Sequence, residues 1–190
     1  MNKIIAFSAK KQGGKTTAVK YFLAQLEGVA TTHNFADALK IIVVYTFVPA
    51  EVYPKGMSAV EWVEDNKDFV CPCGMTIRQL LQILGTDVFR AMWEPVWINA
   101  WKHRLPADGD GVNYILVGDV RFPNEVKAVQ DKGGKVIRFS RAPFAEDDQH
   151  TSETALDGWG GFDAVIDNAD MTIEEQNQTT EKLLLDKGWL

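Results

Sequence analysis

The run Ala9-Lys10-Lys11-Gln12-Gly13-Gly14-Lys15-Thr16-Thr17 places small residues, a lysine and two hydroxyls in the order a phosphate-binding loop needs. Gly13 and Gly14 let the backbone approach a ligand closely. The N–H groups of Gln12 to Thr16 are expected to face phosphate oxygens, helped by the positive end of a following helix. Lys15 would neutralise β/γ charge, and the Thr16 hydroxyl would hold Mg²⁺. On this reading Lys11, Gln12, Gly13, Gly14, Lys15, Thr16 and Thr17 bind the triphosphate of ATP. The run departs from G-x-x-x-x-G-K-[ST] at its first glycine, where Ala9 keeps the small size.

Further along, Asp119 ends an apolar stretch, from which a carboxylate can reach the magnesium shell opposite Thr16. Arg121 follows with a planar fork suited to a phosphate dianion. Arg141 opens a polar segment and could swing onto a transferring phosphoryl group as a lid arginine, or be an ordinary loop arginine. Asn168 follows the last apolar run, where it could meet the adenine of ATP or simply make a turn. Arg78, Gln82, Thr86 and Arg90 recur every four residues and form one polar ridge on a helix. By periodicity the ridge is equally a solvated face. The adjoining tryptophans tilt it towards a base-and-phosphate site, with Trp97 the one expected to touch the ligand.

These groups need elements to place them. Ile4 to Ser8 is an apolar run too short for a helix. After the loop, Val19, Phe22, Leu23 and Leu26 follow helical spacing, and Gly28 is a stop. A weak strand is expected over Thr31 to Phe35, then a helix from Ala36 to about Thr46. Residues 48–75 hold Pro49, Pro54, Gly56, Pro72 and Gly74 and read as an irregular insertion. Thr76 caps a helix with the stripe Ile77, Leu80, Leu81, Leu84 and Val88. Trp93, Val96, Trp97, Ala100 and Trp101 repeat the pattern. Strands are expected at Tyr114–Gly118, Lys135–Phe139 and Ala164–Ile166, with helices from Pro123 to about Lys132 and from the Thr172/Glu175 capping box. Alternating strands and helices imply parallel crossovers and a three-layer α/β/α sandwich. Ligands in such a fold bind at the carboxyl ends of the strands. The phosphate loop, Asp37, Asp119, Arg121, Arg141 and Asn168 would all sit on that edge.

Composition bounds the classes. A chain of 190 residues, 46% hydrophobic, can bury one sizeable core, so one domain over 1–190 is expected. Its core would be 1–47, 105–141 and 162–190, with an acceptor-binding or insertion region at about 48–104 and a lid-like segment at about 142–161. The net charge of −6 and the absence of a Lys/Arg run speak against a nucleic-acid partner. With no signal segment and no long apolar run, neither a membrane span nor a secreted location is expected, and the protein reads as cytoplasmic. Cys71 and Cys73 are the only cysteines. Two ligands do not close a zinc site, and their spacing is not that of a redox pair, so a reduced turn is the better reading.

Taken together, Arg78-x-x-Leu81-Gln82-x-x-Gly85-Thr86, Asp119-Val120-Arg121-Phe122-Pro123-Asn124-Glu125, Gly133-Gly134 before Ile137-Arg138, and His150-x-Ser152-Glu153 resemble the phage-type deoxynucleoside monophosphate kinases. Phe35-Ala36-Asp37-x-Leu39-Lys40 and the phosphate loop match as well. The likeness covers nearly the whole chain outside roughly residues 48–75. Ala9 and the Cys-Pro-Cys-Gly before Arg78 depart from the pattern.

The resemblance implies an adenylate-kinase-like P-loop fold and phosphoryl transfer from ATP, with Mg²⁺, to a deoxynucleoside 5′-monophosphate. It implies that Arg78, Thr86, Trp97, Asp119 and Arg121 hold the acceptor, with Asp37, Lys40, Gln82 and Arg90 assigned beside them. Catalysis would fall to Lys15, Asp119, Arg121 and Arg141. Two alternatives stay open at this point. One is a P-loop kinase for an alcohol, of the dephospho-coenzyme A or sugar-acid type, needing a base such as Asp37. The other is a nucleotide-dependent switch or ATPase without a small acceptor. The accepted bases, the strictness towards ribose and a homodimeric state are not legible.

Overall fold

The structure, a computed structural model, describes residues 2–141 and 150–190. The first eight residues of the expected lid-like segment, 142–149, lie outside the described residues. The chain groups into two compact units, one of Met1–Asn34 with Arg104–Leu190, the other of Phe35–His103.

The first unit is built on five parallel strands: β1 (Lys3–Ser8), β2 (Ala30–Thr32), β3 (Tyr114–Val117), β4 (Lys135–Phe139) and β5 (Ala164–Ile166), in the order β2-β3-β1-β4-β5. The helices are α1 (Lys15–Gln25), α6 (Pro123–Gln130), the short α7 (Thr151–Thr154) and α8 (Ile173–Asp186). The central strands are buried on both faces and therefore read as continuous apolar runs. Ile5, Phe7, Leu116, Ile137, Phe139 and Ile166 form one cluster with Ala18, Val19 and Phe22 of α1 and Leu184 of α8. The Phe7 ring stacks between Phe22 and Phe139 at centroid distances of 6.0 and 5.8 Å. On the opposite pleat, Gly134 leaves room for Ile4 and for Val129 of α6, either of which a Cβ there would meet within 2.8 Å. Helices thus cover both faces of an all-parallel sheet, the α/β architecture of P-loop kinases.

The second unit is helical: α2 (Asp37–Phe47), α3 (Ala59–Asp65), α4 (Ile77–Gln82) and most of α5 (Val96–Arg104). Directly after α4 the winding changes to a π-helix over Ile83–Arg90. Phe35, Leu39, Val43, Val44, Trp62, Val63, Ile77, Leu80, Trp97 and Trp101 are buried.

Three expectations change. The second strand is Ala30–Thr32, ending before Phe35, which belongs to the helical unit and packs tilted on Trp101 with ring centroids 4.8 Å apart. The supposedly irregular 48–75 insertion contains α3, started by a reciprocal Ser58/Glu61 capping box. The stripe Ile77 to Val88 does not persist, because the π-turn takes about 4.4 residues rather than 3.6. Leu80, Gly85 and Arg90 are buried at spacings of five, while Val88 is 38% exposed. Among the described residues, no helix is long and apolar enough to cross a membrane.

Candidate active site

β1 ends at Ser8 and the chain turns through Ala9–Gly14 into α1, so the loop begins at the carboxyl edge of the central strand. Gln12 and Gly14 take positive φ values of 57° and 100°, the conformations that curl the backbone around a concavity. At Gly13 a Cβ would lie 2.7 Å from the Ala9 methyl and 2.6 Å from the Arg141 carbonyl. Ala9 therefore fits in place of the usual glycine because position 13 has no side chain. The Lys15 ammonium closes over the loop, donating to the carbonyls of Ala9 at 2.5 Å and Lys10 at 3.1 Å. One expectation is refined: the Gly13 N–H is used within the loop, donating to the Lys10 carbonyl at 3.0 Å.

The loop depends on glycine where side chains would collide with the protein and carries an ammonium beside it, both of which a phosphate-binding loop uses. Thr16 is exposed on the first turn of α1, and Asp119 follows β3, the neighbour of β1, with Ala6 paired to Val117. A hydroxyl and a carboxylate are hard oxygen donors of the kind Mg²⁺ prefers, usually completed by water and substrate phosphate. The Ser8 hydroxyl donates to the Val120 carbonyl at 2.9 Å and ties the end of β1 to the Asp119–Arg121 segment.

Arg121 is fixed from two directions. The Glu125 carboxylate, 3% exposed, accepts from the backbone N–H groups of Arg121 at 2.8 Å and Phe122 at 3.2 Å. The Arg121 guanidinium Nη1 is ion-paired to Glu153 and also donates to the Ser152 carbonyl at 3.2 Å. Ser152 and Glu153 lie in α7, whose start is held by His150 Nδ1, which accepts from the Ser152 N–H at 3.2 Å. Glu125 and Glu153 were both missed as site residues. Glu125 had a local signal, a glutamate three residues into a helix led by proline. Glu153 stood in the His150-x-Ser152-Glu153 segment of the resemblance, but its partner was not legible, because it meets Arg121 only across the fold.

Arg141 and Asn168 belong to the loop's support. The Asn168 amide is wholly buried. It accepts from the Arg141 N–H at 2.9 Å and donates to the Gly13 carbonyl at 3.1 Å and to Gln176 Oε1 at 2.7 Å. Of the two readings open for Asn168, an adenine contact or a turn residue, its buried hydrogen bonds to the protein match the second more closely. The Arg141 guanidinium Nη1 donates to the Met171 carbonyl at 3.3 Å. Beside the loop, Lys10 pairs with Asp157 at 2.5 Å, and Arg138 donates to the Ser8 hydroxyl at 2.9 Å while lying over the Phe162 ring. Burial lowers the pKa of Arg138, and Asp157 partly offsets this.

In the helical unit, Arg78 leans on Asp68 Oδ1 through Nε and Nη2, both at 3.3 Å, and Asp68 is 84% exposed. Such a solvated pair exchanges readily. Arg90 is buried, with Nη1 donating to the Glu94 carbonyl at 3.3 Å. Arg78, Gln82, Thr86 and Arg90 do not form one straight ridge, since the α-to-π change falls between Gln82 and Ile83. Trp97 is 6% exposed, and its indole N–H donates to the Gly85 carbonyl at 2.8 Å. Asp37 and Lys40 are buried on α2. The Lys40 ammonium sits 3.4 Å from Asp37 and 2.6 Å from Glu64, which also pairs with Lys67 at 2.6 Å. Burial pushes the Glu64 carboxyl up, but Lys40 and Lys67 outweigh it and hold it at about 2.

A family model described as deoxynucleotide monophosphate kinase matches residues 53–179. A protein of Acanthamoeba polyphaga mimivirus, provisionally named a deoxynucleotide monophosphate kinase, is 29% identical over 183 residues, covering 90% of this chain and 91% of its own length.

Proposed function

The chain belongs to the deoxynucleotide monophosphate kinase family, and from that premise we propose that it transfers the γ-phosphoryl of ATP to a deoxynucleoside 5′-monophosphate. The observation that carries the reading is the pairing, within one unit, of a glycine-lined phosphate loop with an anchored arginine on the adjoining strand-end segment.

In this reading Lys11 to Thr17 hold the donor phosphates, with Lys15 moving from its carbonyl partners onto the β/γ oxygens. Thr16 and Asp119 are the residues that would hold Mg²⁺. A bound Mg²⁺ would supply charge neutralisation to the phosphates. Arg121 orients the acceptor phosphate through its planar fork, and Arg141 sits at the loop's edge to meet charge on the moving group. In the helical unit, taken by itself, Arg78, Thr86 and Gln82 are the candidate nucleotide contacts, and Asp37, Lys40, Arg90 and Trp97 are buried candidates.

The chemistry asks for little else. An acceptor phosphate with a second pKa of about 6 is largely a dianion near neutrality and needs no strong base. The barrier lies in bringing two polyanions into line, and fixed cations lower it. An alcohol acceptor would instead need an available carboxylate base, and the Asp37 carboxylate is buried with the Lys40 ammonium 3.4 Å away. The test is ADP release with each of the deoxynucleoside monophosphates set against alcohol acceptors. The proposal expects stimulation by at least one deoxynucleotide; stimulation by alcohols alone would replace it.

A further inference from the structure

Gln176 stands in a run of polar residues at the start of α8, yet it is 1% exposed. Its Oε1 accepts from Asn168 Nδ2 at 2.7 Å, and its Nε2 donates to the Gly14 carbonyl at 3.2 Å. The orientations of both amides follow from their backbone partners. The Arg141 N–H can only donate, so Asn168 Oδ1 faces it and Nδ2 faces Gly13; the Gly14 carbonyl can only accept, so Gln176 presents Nε2. The chain of bonds runs from the strand-end backbone at Arg141, through Asn168, to Gln176, and into the two consecutive carbonyls of the loop.

We propose that Gln176, acting with Asn168, is a positioning residue that aims the phosphate-binding N–H groups of the loop. A trans peptide unit is planar, so its N–H points opposite to its C=O. None of the described peptide bonds is cis. Holding the Gly13 carbonyl turns the Gly14 N–H the other way, and holding the Gly14 carbonyl does the same for the Lys15 N–H. The Gly14 carbonyl also accepts from Ala18 N–H at 3.1 Å, so the first turn of α1 and the buried amide share one anchor. The fit is close: a Cβ on Gly14 would lie 2.1 Å from Gln176 Oε1. Buried amides in a hydrogen-bonded chain polarise one another, and a break leaves a donor unpaired away from water.

The inference rests on the donor half of the proposed function, and equilibrium binding of Mg-ADP tests it without any acceptor. Gln176→Met keeps an unbranched chain of similar length but loses both hydrogen bonds. It is expected to weaken ADP at least ten-fold and to raise the ATP KM alongside, with the acceptor KM within two-fold. A purely structural residue would lower the melting temperature or the active fraction and leave the ADP affinity of the folded protein alone. Gln176→Glu gives a second readout that does not depend on the first variant folding. Its protonated acid can still donate to Gly14 and accept from Asn168, whereas its carboxylate opposes the Gly14 carbonyl. ADP affinity in that variant should approach wild type at low pH and fall as the side chain ionises. ADP affinity within two-fold of wild type in Gln176→Met, or a pH profile of Gln176→Glu parallel to wild type, would overturn the inference. Failure of the kinase reading is distinct: a wild-type protein that binds ADP but phosphorylates no acceptor.

Discussion

The Glu153 carboxylate of α7 grips the same guanidinium nitrogen of Arg121 that also donates to the Ser152 carbonyl. The Glu153 side chain is 8% exposed, so the pair is shielded on the glutamate side, while the Arg121 side chain is 35% exposed. Charge-assisted bonds of this kind hold an arginine plane in one orientation. Glu153→Ala is therefore expected to raise the acceptor KM about ten-fold, matching the ~1.5 kcal/mol typical of a lost charged hydrogen bond. The ATP KM should change little. Steady-state kinetics with each substrate varied in turn checks it, and a lowered acceptor KM would show that Glu153 competes with the phosphate instead.

Removing the fork itself should cost more. Arg121→Ala is expected to lower turnover by about a hundred-fold or more, the scale seen when a transition-state charge partner is deleted. Mg-ADP affinity should stay within a few-fold, because the phosphate loop is untouched. Single-turnover rates measured beside equilibrium ADP binding separate the two effects.

Lys15→Ala should impair both halves of the donor reaction. The ammonium closes the loop on the Ala9 and Lys10 carbonyls in the structure and meets the β/γ oxygens in the proposed reaction. ADP binding and turnover are both expected to fall, and normal rates in this variant would remove the loop from the mechanism.

How much of this was legible in the sequence depended on how local the signal was. The phosphate loop, Lys135–Phe139 and the Thr172/Glu175 cap lie within single short stretches, and each formed as its residues dictate. The Ser58/Glu61 capping box is equally local, but α3 is only seven residues long and sits among prolines and glycines that signal loop. The π-helix was not legible, because a four-residue ridge presumes 3.6 residues per turn. Arg90 was consequently expected on a polar face and is buried. Gln176 was hidden in a polar run, and Glu153 gains its role only by meeting a residue thirty-two positions away. Contacts made by the fold leave no periodic trace.

The pairing around Lys40 carries a pH dependence. Glu64 is held at about 2 although burial opposes it, well below the ordinary 4.5. A depressed folded pKa stabilises the protein above the unfolded value, and that stability is lost as pH falls from about 5 towards 2. The Glu64 side chain is 37% exposed, so solvent screening trims the contribution to on the order of 1 kcal/mol. Urea melts between pH 6 and 3 should show Glu64→Gln losing part of the wild-type slope; identical slopes would mean the pair is solvated.

In the proposed reaction phosphoryl passes directly from one nucleotide to another. The most direct measurement follows γ-labelled ATP mixed with Mg²⁺ and a deoxynucleoside monophosphate, with products separated over time. Direct transfer puts label in the β-position of the deoxynucleoside diphosphate, formed in step with ADP and with little free inorganic phosphate. Label appearing only as inorganic phosphate, whatever acceptor is supplied, would contradict it.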